Sequence, residues 1–170
     1  MNKMNTPESS YELWRLIGRV NHSILVQRQR ELRKHHIAIR QLWVLIAITE
    51  LGPSATLAKV AKELEREPNV ISLQTVIMEK DGLIKRIKNT PKSNFLKLEL
   101  TEKGRDIINA SRHSEAIHKI LGSLPQEDRQ YLDSILNKVL VKSQKYHEVF
   151  FASRNSPLLQ NIFPGTGGEN

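Results

Sequence analysis

Between Lys85 and Arg105 the chain carries seven cations, Lys85, Arg86, Lys88, Lys92, Lys97, Lys103 and Arg105, against only Glu99 and Glu102. Charges of this kind seat a protein on phosphates without specifying a sequence, because each neutralised phosphate releases condensed counterions. The balance of the whole chain points the same way. Its 170 residues include 26 Lys plus Arg and 18 Asp plus Glu, for a net charge of +8. The pI is about 9.8. Such a surplus favours polyanionic partners but does not by itself separate DNA from RNA or an anionic membrane. A second basic group, Arg28, Arg30, Arg33, Lys34 and Arg40, reads either as a contact to flanking phosphate or as a solubilising helix end.

Other chemistries find little support. There is no cysteine, hence no disulfide, thiolate metal site or cysteine redox sensor. His35 and His36 are adjacent, so on a helix they would point about 100° apart. His113 and His118 miss the i, i+4 spacing of helical zinc sites. Gly165, Gly167 and Gly168 follow no strand, so they form no phosphate loop. No nucleophile signature appears. No metal, cofactor or enzymatic activity is expected. The N-terminal MNKMNTPESS has no signal-peptide core, and the most apolar stretch, Leu42 to Ile48, is too short to span a bilayer. The expectation is a soluble, cytoplasmic protein.

The elements that would position these charges follow from periodicity. Residues 1–9 read as a polar tail. Leu13, Ile17, Val20 and Ile24 recur at helical spacing from about Ser10 to Lys34. A second helix, about Ala38 to Leu51, is apolar nearly all round and therefore buried, and Gly52-Pro53 ends it. A short helix from about Leu57 to Glu65, a break at Arg66-Glu67, and a helix from Pro68 to about Lys80 outline a helix-turn-helix. The period then becomes strand-like at Leu83 to Asn89 and at Phe95 to Leu100, around a turn-forming Thr90-Pro91-Lys92-Ser93-Asn94. A hairpin directly after a helix-turn-helix is a wing. Helix resumes after Thr101, a good N-cap, with Ile107, Ile108, Ile117, Ile120 and Leu121 as its apolar positions. After Gly122 and Pro125 a long helix runs from about Gln126 to Phe151. The fold class is mainly α with a small β-hairpin wing, a winged helix-turn-helix flanked by long dimerisation helices.

In that order and spacing, VAKEL (Val60 to Leu64), PNVIS (Pro68 to Ser72), MEKDGLIKR (Met78 to Arg86), LTEKG (Leu100 to Gly104) and LPQEDRQYL (Leu124 to Leu132) resemble the MarR (multiple antibiotic resistance regulator) family of winged-helix transcription factors. The likeness covers roughly residues 10 to 145. It divides the chain into a tail (1–9), an N-terminal dimerisation helix (10–37), a winged DNA-binding lobe (38–105), C-terminal dimerisation helices (106–152) and an extension with a flexible tail (153–170). The Asp-x-Arg pair usual in the family's wing is absent. Lys92-Ser93-Asn94 stands there instead, and a compact ammonium lacks the planar fork of arginine.

The resemblance implies that the helix from Pro68 reads the major groove, with Glu67, Pro68, Asn69, Val70, Ser72 and Leu73 facing it. Asn69 suits adenine, Ser72 a base or phosphate, and Val70 or Leu73 a thymine methyl. With no Arg or Lys between Pro68 and Ile77, an A·T-rich site is expected. Lys85, Lys88, Lys92, Ser93, Asn94 and Lys97 are the expected wing and phosphate contacts, whereas Arg86 corresponds to an arginine that is often structural. A homodimer would read an inverted repeat, by default as a repressor, with Tyr146, Phe150, Phe151, Leu158, Leu159, Ile162 and Phe163 extending the interface. Relatives often bind small aromatic anions, and Trp14, Arg15, His22 and Trp43 are the candidate lining here, although each tryptophan taken singly reads as core. The alternatives are a winged-helix protein–protein module, a methyltransferase fragment and an RNA binder. A basic wing disfavours the first, the lack of a nucleotide-binding βαβ unit the second, and a single sheet aromatic, Phe95, the third.

Overall fold

A computed structural model describes residues 6–88 and 95–154, with 147–154 as backbone only. The chain divides into two compact units, residues 1–120 and 121–170.

In the first unit, α1 spans Pro7–Leu32. It begins at Pro7 rather than at Ser10, because Thr6 and Ser9 form a reciprocal capping box, each hydroxyl accepting from the other's backbone N–H at 3.2 Å. A 3-10 turn, Arg33–His35, follows, and His36 closes it in the left-handed region at φ 56°. The adjacent histidines thus lie on a turn and not along a helix. Gln29 holds this corner: its Nε2 donates to the Ile37 carbonyl at 3.2 Å and its Oε1 accepts from Ile39 N at 2.8 Å.

Helix α2, Ile39–Leu51, buries Leu42, Val44, Leu45, Ala47 and Ile48, but the burial is not all round as its apolarity implies, because Trp43 stays exposed and Ile39 and Ile46 are half-buried. Gly52 ends it at φ 52°, a conformation that favours glycine. Helix α3, Leu57–Glu63, is N-capped by Thr56. It stops short of the expected Glu65 because that residue adopts φ 49°. Helix α4, Pro68–Lys80, turns its Ile71, Thr75 and Met78 into the core.

Strands β1, Ile84–Lys88, and β2, Leu96–Leu100, pair antiparallel with Ile84 opposite Leu100 and Lys88 opposite Leu96. A bridge from Thr56 to Lys97, with Leu98 N donating to the Ala55 carbonyl at 2.9 Å, ties the hairpin to the start of α3. Leu98 is buried, with Leu96 and Leu100 packed against the same core. That is the alternation expected for this strand.

The junction after β2 is set by two residues. The Thr101 hydroxyl lies 2.7 Å from the Gly82 carbonyl and 3.0 Å from that of Leu83, and accepts from Gly104 N at 3.1 Å, capping α5 (Glu102–Arg112). Gly104 has no room for a side chain, since a Cβ there would lie 2.2 Å from the Leu83 oxygen. The single helix expected from Thr101 to Leu121 is broken at His113-Ser114, and α6 runs Glu115–Leu121. The break is built by α1. The Glu31 carboxylate accepts from the Ser114 hydroxyl at 2.5 Å, Ala116 N at 2.8 Å and Arg28 at 2.9 Å. Arg28 also donates to the Ser111 carbonyl at 2.6 Å. Partial burial pushes the Glu31 carboxyl up, but the bonds from Ser114, Ala116 and Arg28 outweigh it and hold the group below its ordinary 4.5. Arg28 is buried in this clasp and so leaves the exposed basic group predicted for residues 28–40.

The second unit contains α7, Gln126–Arg154. Its apolar positions Leu132, Ile135, Leu136, Val139 and Leu140 are all exposed. No helix among the described residues is long and apolar enough to cross a membrane.

Candidate nucleic-acid interface

The helix-turn-helix is α3 and α4, joined through Leu64 to Glu67. Burial of Ile71, Thr75 and Met78 fixes the rotation of α4. At about 100° per residue the opposite face carries Asn69, Leu73, Val76, Ile77 and Lys80. All five are exposed, as are Glu67, Pro68 and Val70. Ser72 is half-buried on the flank, and its carbonyl accepts from the Thr75 hydroxyl at 2.9 Å. Five of the six expected reading residues therefore stand out to solvent, with Ser72 partly withdrawn. Val76 and Ile77 were not anticipated there, although they continue the i, i+3/i+4 row from Leu73 and Val70. Gln74 donates from Nε2 to the Arg40 carbonyl at 2.7 Å, which sets exposed Arg40 beside α4.

The basic cluster divides by what each cation already holds. Lys85 and Lys88 are exposed on β1. Lys97 is half-buried and pairs with Glu99 at 2.8 Å, and that hydrogen bond and charge hold the Glu99 carboxyl below its usual value. Lys103 donates to the Asp81 carbonyl at 2.8 Å and Arg105 to that of Leu100 at 3.0 Å. Arg86 is half-buried, and its Nε has no partner among the described residues. Its backbone N–H donates to Glu79 at 2.8 Å. Lys92, Ser93 and Asn94 lie outside the described residues.

The expected ligand lining is only partly brought together. Trp14, Arg15 and His22, with Tyr11 and Arg19, line a shallow concavity along α1 itself. The Tyr11 and Trp14 rings lie 5.5 Å apart, and the Arg15 guanidinium sits 6.0 Å from the Tyr11 ring while pairing with Glu12 at 3.0 Å. Trp43, on α2, is not among those lining residues. Neither tryptophan is core: Trp14 is 65% and Trp43 47% exposed. A separate groove of about 490 Å³, not anticipated, lies between the end of α2, β2 and α5, with Thr49, Arg105, Asn109 and Arg112 among its walls.

No protein-family model and no curated protein sequence matches the chain. Solved structures do. The organohalide-sensing RdhR-CbdbA1625 transcriptional regulator, in a form bound to 2,4-dichlorophenol, is 28% identical, with 82% of this chain and 83% of that one aligned at a TM-score of 0.68. AbsC, a MarR family transcriptional regulator from Streptomyces coelicolor, is 20% identical, covering 82% and 97% at a TM-score of 0.69. MepR from S. aureus, in a complex with DNA, is 20% identical, covering 75% and 95% at a TM-score of 0.65.

Helix-turn-helix, hairpin and these likenesses define a protein of the winged-helix class, and the solved structures it resembles are transcriptional regulators. Within that class, its fold is that of the MarR family.

Proposed function

We propose that this chain is a sequence-specific double-stranded DNA-binding regulator that acts as a homodimer on an inverted repeat, by default as a repressor. The observation that carries this is the outward face of α4, with Asn69 and Leu73 exposed, next to exposed Lys85 and Lys88 on the wing. A helix so presented fits the major groove, and the flanking cations fit its phosphate walls. Asn69 has the two-sided amide that pairs with adenine N6 and N7. MepR, of the same fold, was solved with DNA.

Dimerisation accounts for apolar surface that a single chain leaves uncovered. Leu13, Ile17 and Val20 on α1, and Leu132, Ile135, Leu136, Val139 and Leu140 on α7, are exposed, and exposed stripes of that extent mark interfaces. The division into a winged lobe at 38–105 with dimerisation helices at 10–37 and 106–152 rests on these stripes. A small aromatic effector is the regulatory input, received by Trp14, Arg15 and His22 once a second surface closes over them. RdhR-CbdbA1625 and CouR were solved with 2,4-dichlorophenol and p-coumaroyl-CoA respectively.

The test is a binding selection with the full chain on random duplex DNA at two salt concentrations. An enriched inverted repeat whose affinity falls steeply with salt supports the reading. No enrichment at either salt overturns it and favours the protein–protein module, for which the apolar face of α4 is the supporting feature.

A further inference from the structure

The row Val70, Leu73, Val76 and Ile77 is 52%, 71%, 46% and 54% exposed on a helix that carries no charged residue from Pro68 through Met78. Four large aliphatic side chains in one exposed row need an occupant. The rim of the row identifies it. Arg40 is held beside α4 by Gln74, Lys80 closes the helix, and Lys85 and Lys88 stand on the adjoining strand. The acids beside the row are Glu67 at the N-cap and Glu79 and Asp81 on either side of Lys80, of which Glu79 accepts from Arg86 N and Asp81 from the Gln41 amide. An apolar floor with cationic flanks complements a groove whose walls are phosphates. In the major groove of duplex DNA one base presents an apolar group, the C5 methyl of thymine.

On the reading that α4 enters the major groove, we propose that this row makes the protein a reader of pyrimidine C5 methyl groups, with Leu73 as the principal specificity-determining residue. Leu73 is the most exposed of the four and lies almost opposite the buried Ile71 and Met78. Val70 and Ile77 flank it at one turn on either side, so a short run of successive thymines can be met by one helix face. The contact is with the methyl and not with the O4 or N4 beside it. A 5-methylcytosine at the same position therefore satisfies it in part.

The test uses the full chain and the duplex enriched by selection. Each thymine of that duplex is replaced singly by deoxyuracil, which removes the methyl and leaves every hydrogen-bonding group in place. At about 0.8 kcal/mol per buried methyl, binding should weaken about fourfold at the contacted position. Changing both half-sites together should weaken it about fifteenfold. Leu73→Ala, on an exposed helix surface, should fold normally and bind the thymine and uracil duplexes equally. Replacing the contacted T·A pair by 5-methylcytosine·guanine should bind better than the same pair with plain cytosine.

An enriched duplex that tolerates uracil at every position would overturn the inference and leave DNA reading intact. So would a Leu73→Ala protein that discriminates thymine from uracil as strongly as the parent at every position. No enriched duplex at all would overturn the DNA reading and this inference together, and would leave the row to a protein partner.

Discussion

Asn69 and Lys88 separate two roles that a count of positive charge cannot. Asn69 stands on the outward face of α4, where a two-sided amide can select a base, and Asn69→Ala should cost about 1–3 kcal/mol of binding and relax the preference at one position. Lys88 is exposed on β1, and on the proposed reading it meets phosphate. Lys88→Ala should weaken all duplexes alike and reduce the slope of log affinity against log salt by about one. Titration of each variant on the selected and scrambled duplexes checks both. A sequence-dependent loss at Lys88, or a uniform one at Asn69, would exchange their roles. Asn69 is a candidate reader through the family resemblance, and the fold leaves it exposed in the first turn of α4. A count of charge treats Lys97 and Arg28 as available, and in the fold neither is. Lys97 is occupied by Glu99 two residues along its own strand, and Arg28 by Glu31 one turn along its own helix and by the Ser111 carbonyl; only the bond to Ser111 depends on a distant segment.

At the level of elements, local sequence accounts for most of the helix-turn-helix and hairpin. Gly52-Pro53, Pro68, Asp81-Gly82 and Thr101 each mark a boundary by backbone chemistry that acts within a few residues. The α5–α6 break is the opposite case. No Gly or Pro marks His113-Ser114, and the interruption is imposed by Glu31, 83 residues away in sequence from Ser114. That clasp predicts a pH dependence. Because the folded Glu31 carboxyl is held below its ordinary 4.5, its stabilisation is fully present above that value and is lost as pH falls through the lowered one. Glu31→Gln should flatten stability against pH in that acidic window. Glu31→Ala should cost about 2 kcal/mol near neutrality, the scale of a charged hydrogen-bonded group removed from a partly buried site. Denaturation midpoints across pH measure both, and an unchanged acid limb in Glu31→Gln would rule out the clasp as its source. Gly104→Ala should be costlier than the usual glycine replacement in a helix, because the new methyl meets the Leu83 carbonyl oxygen. A midpoint equal to that of the parent would contradict that packing.

For the molecule as a whole, what a single sequence leaves hidden is the covering of its apolar surface. Both tryptophans read singly as core and are exposed in the folded chain, while α1 and α7 keep apolar stripes that nothing in their own unit buries. Apolar periodicity reports that a face will be covered, and not by which chain. Tyr146 is exposed, whereas the side chains of Phe150 and Phe151 and all of residues 155–170 lie outside the described residues. A chain truncated after Lys145 should show a weaker dimer in sedimentation if that end extends the interface, and an unchanged one if it does not. On the proposed reading, dimerisation would turn one α4 into two at a fixed separation, and a two-fold protein presents its readers one helical turn apart, about 34 Å along the duplex. The most direct measurement is hydroxyl-radical footprinting of the full chain on the selected duplex, with stoichiometry determined on the same complex. Two protected segments centred about one helical turn apart on one face of the DNA, at two chains per duplex, are the predicted result. A single protected segment at one chain per duplex would contradict a dimeric reader that works through paired α4 helices.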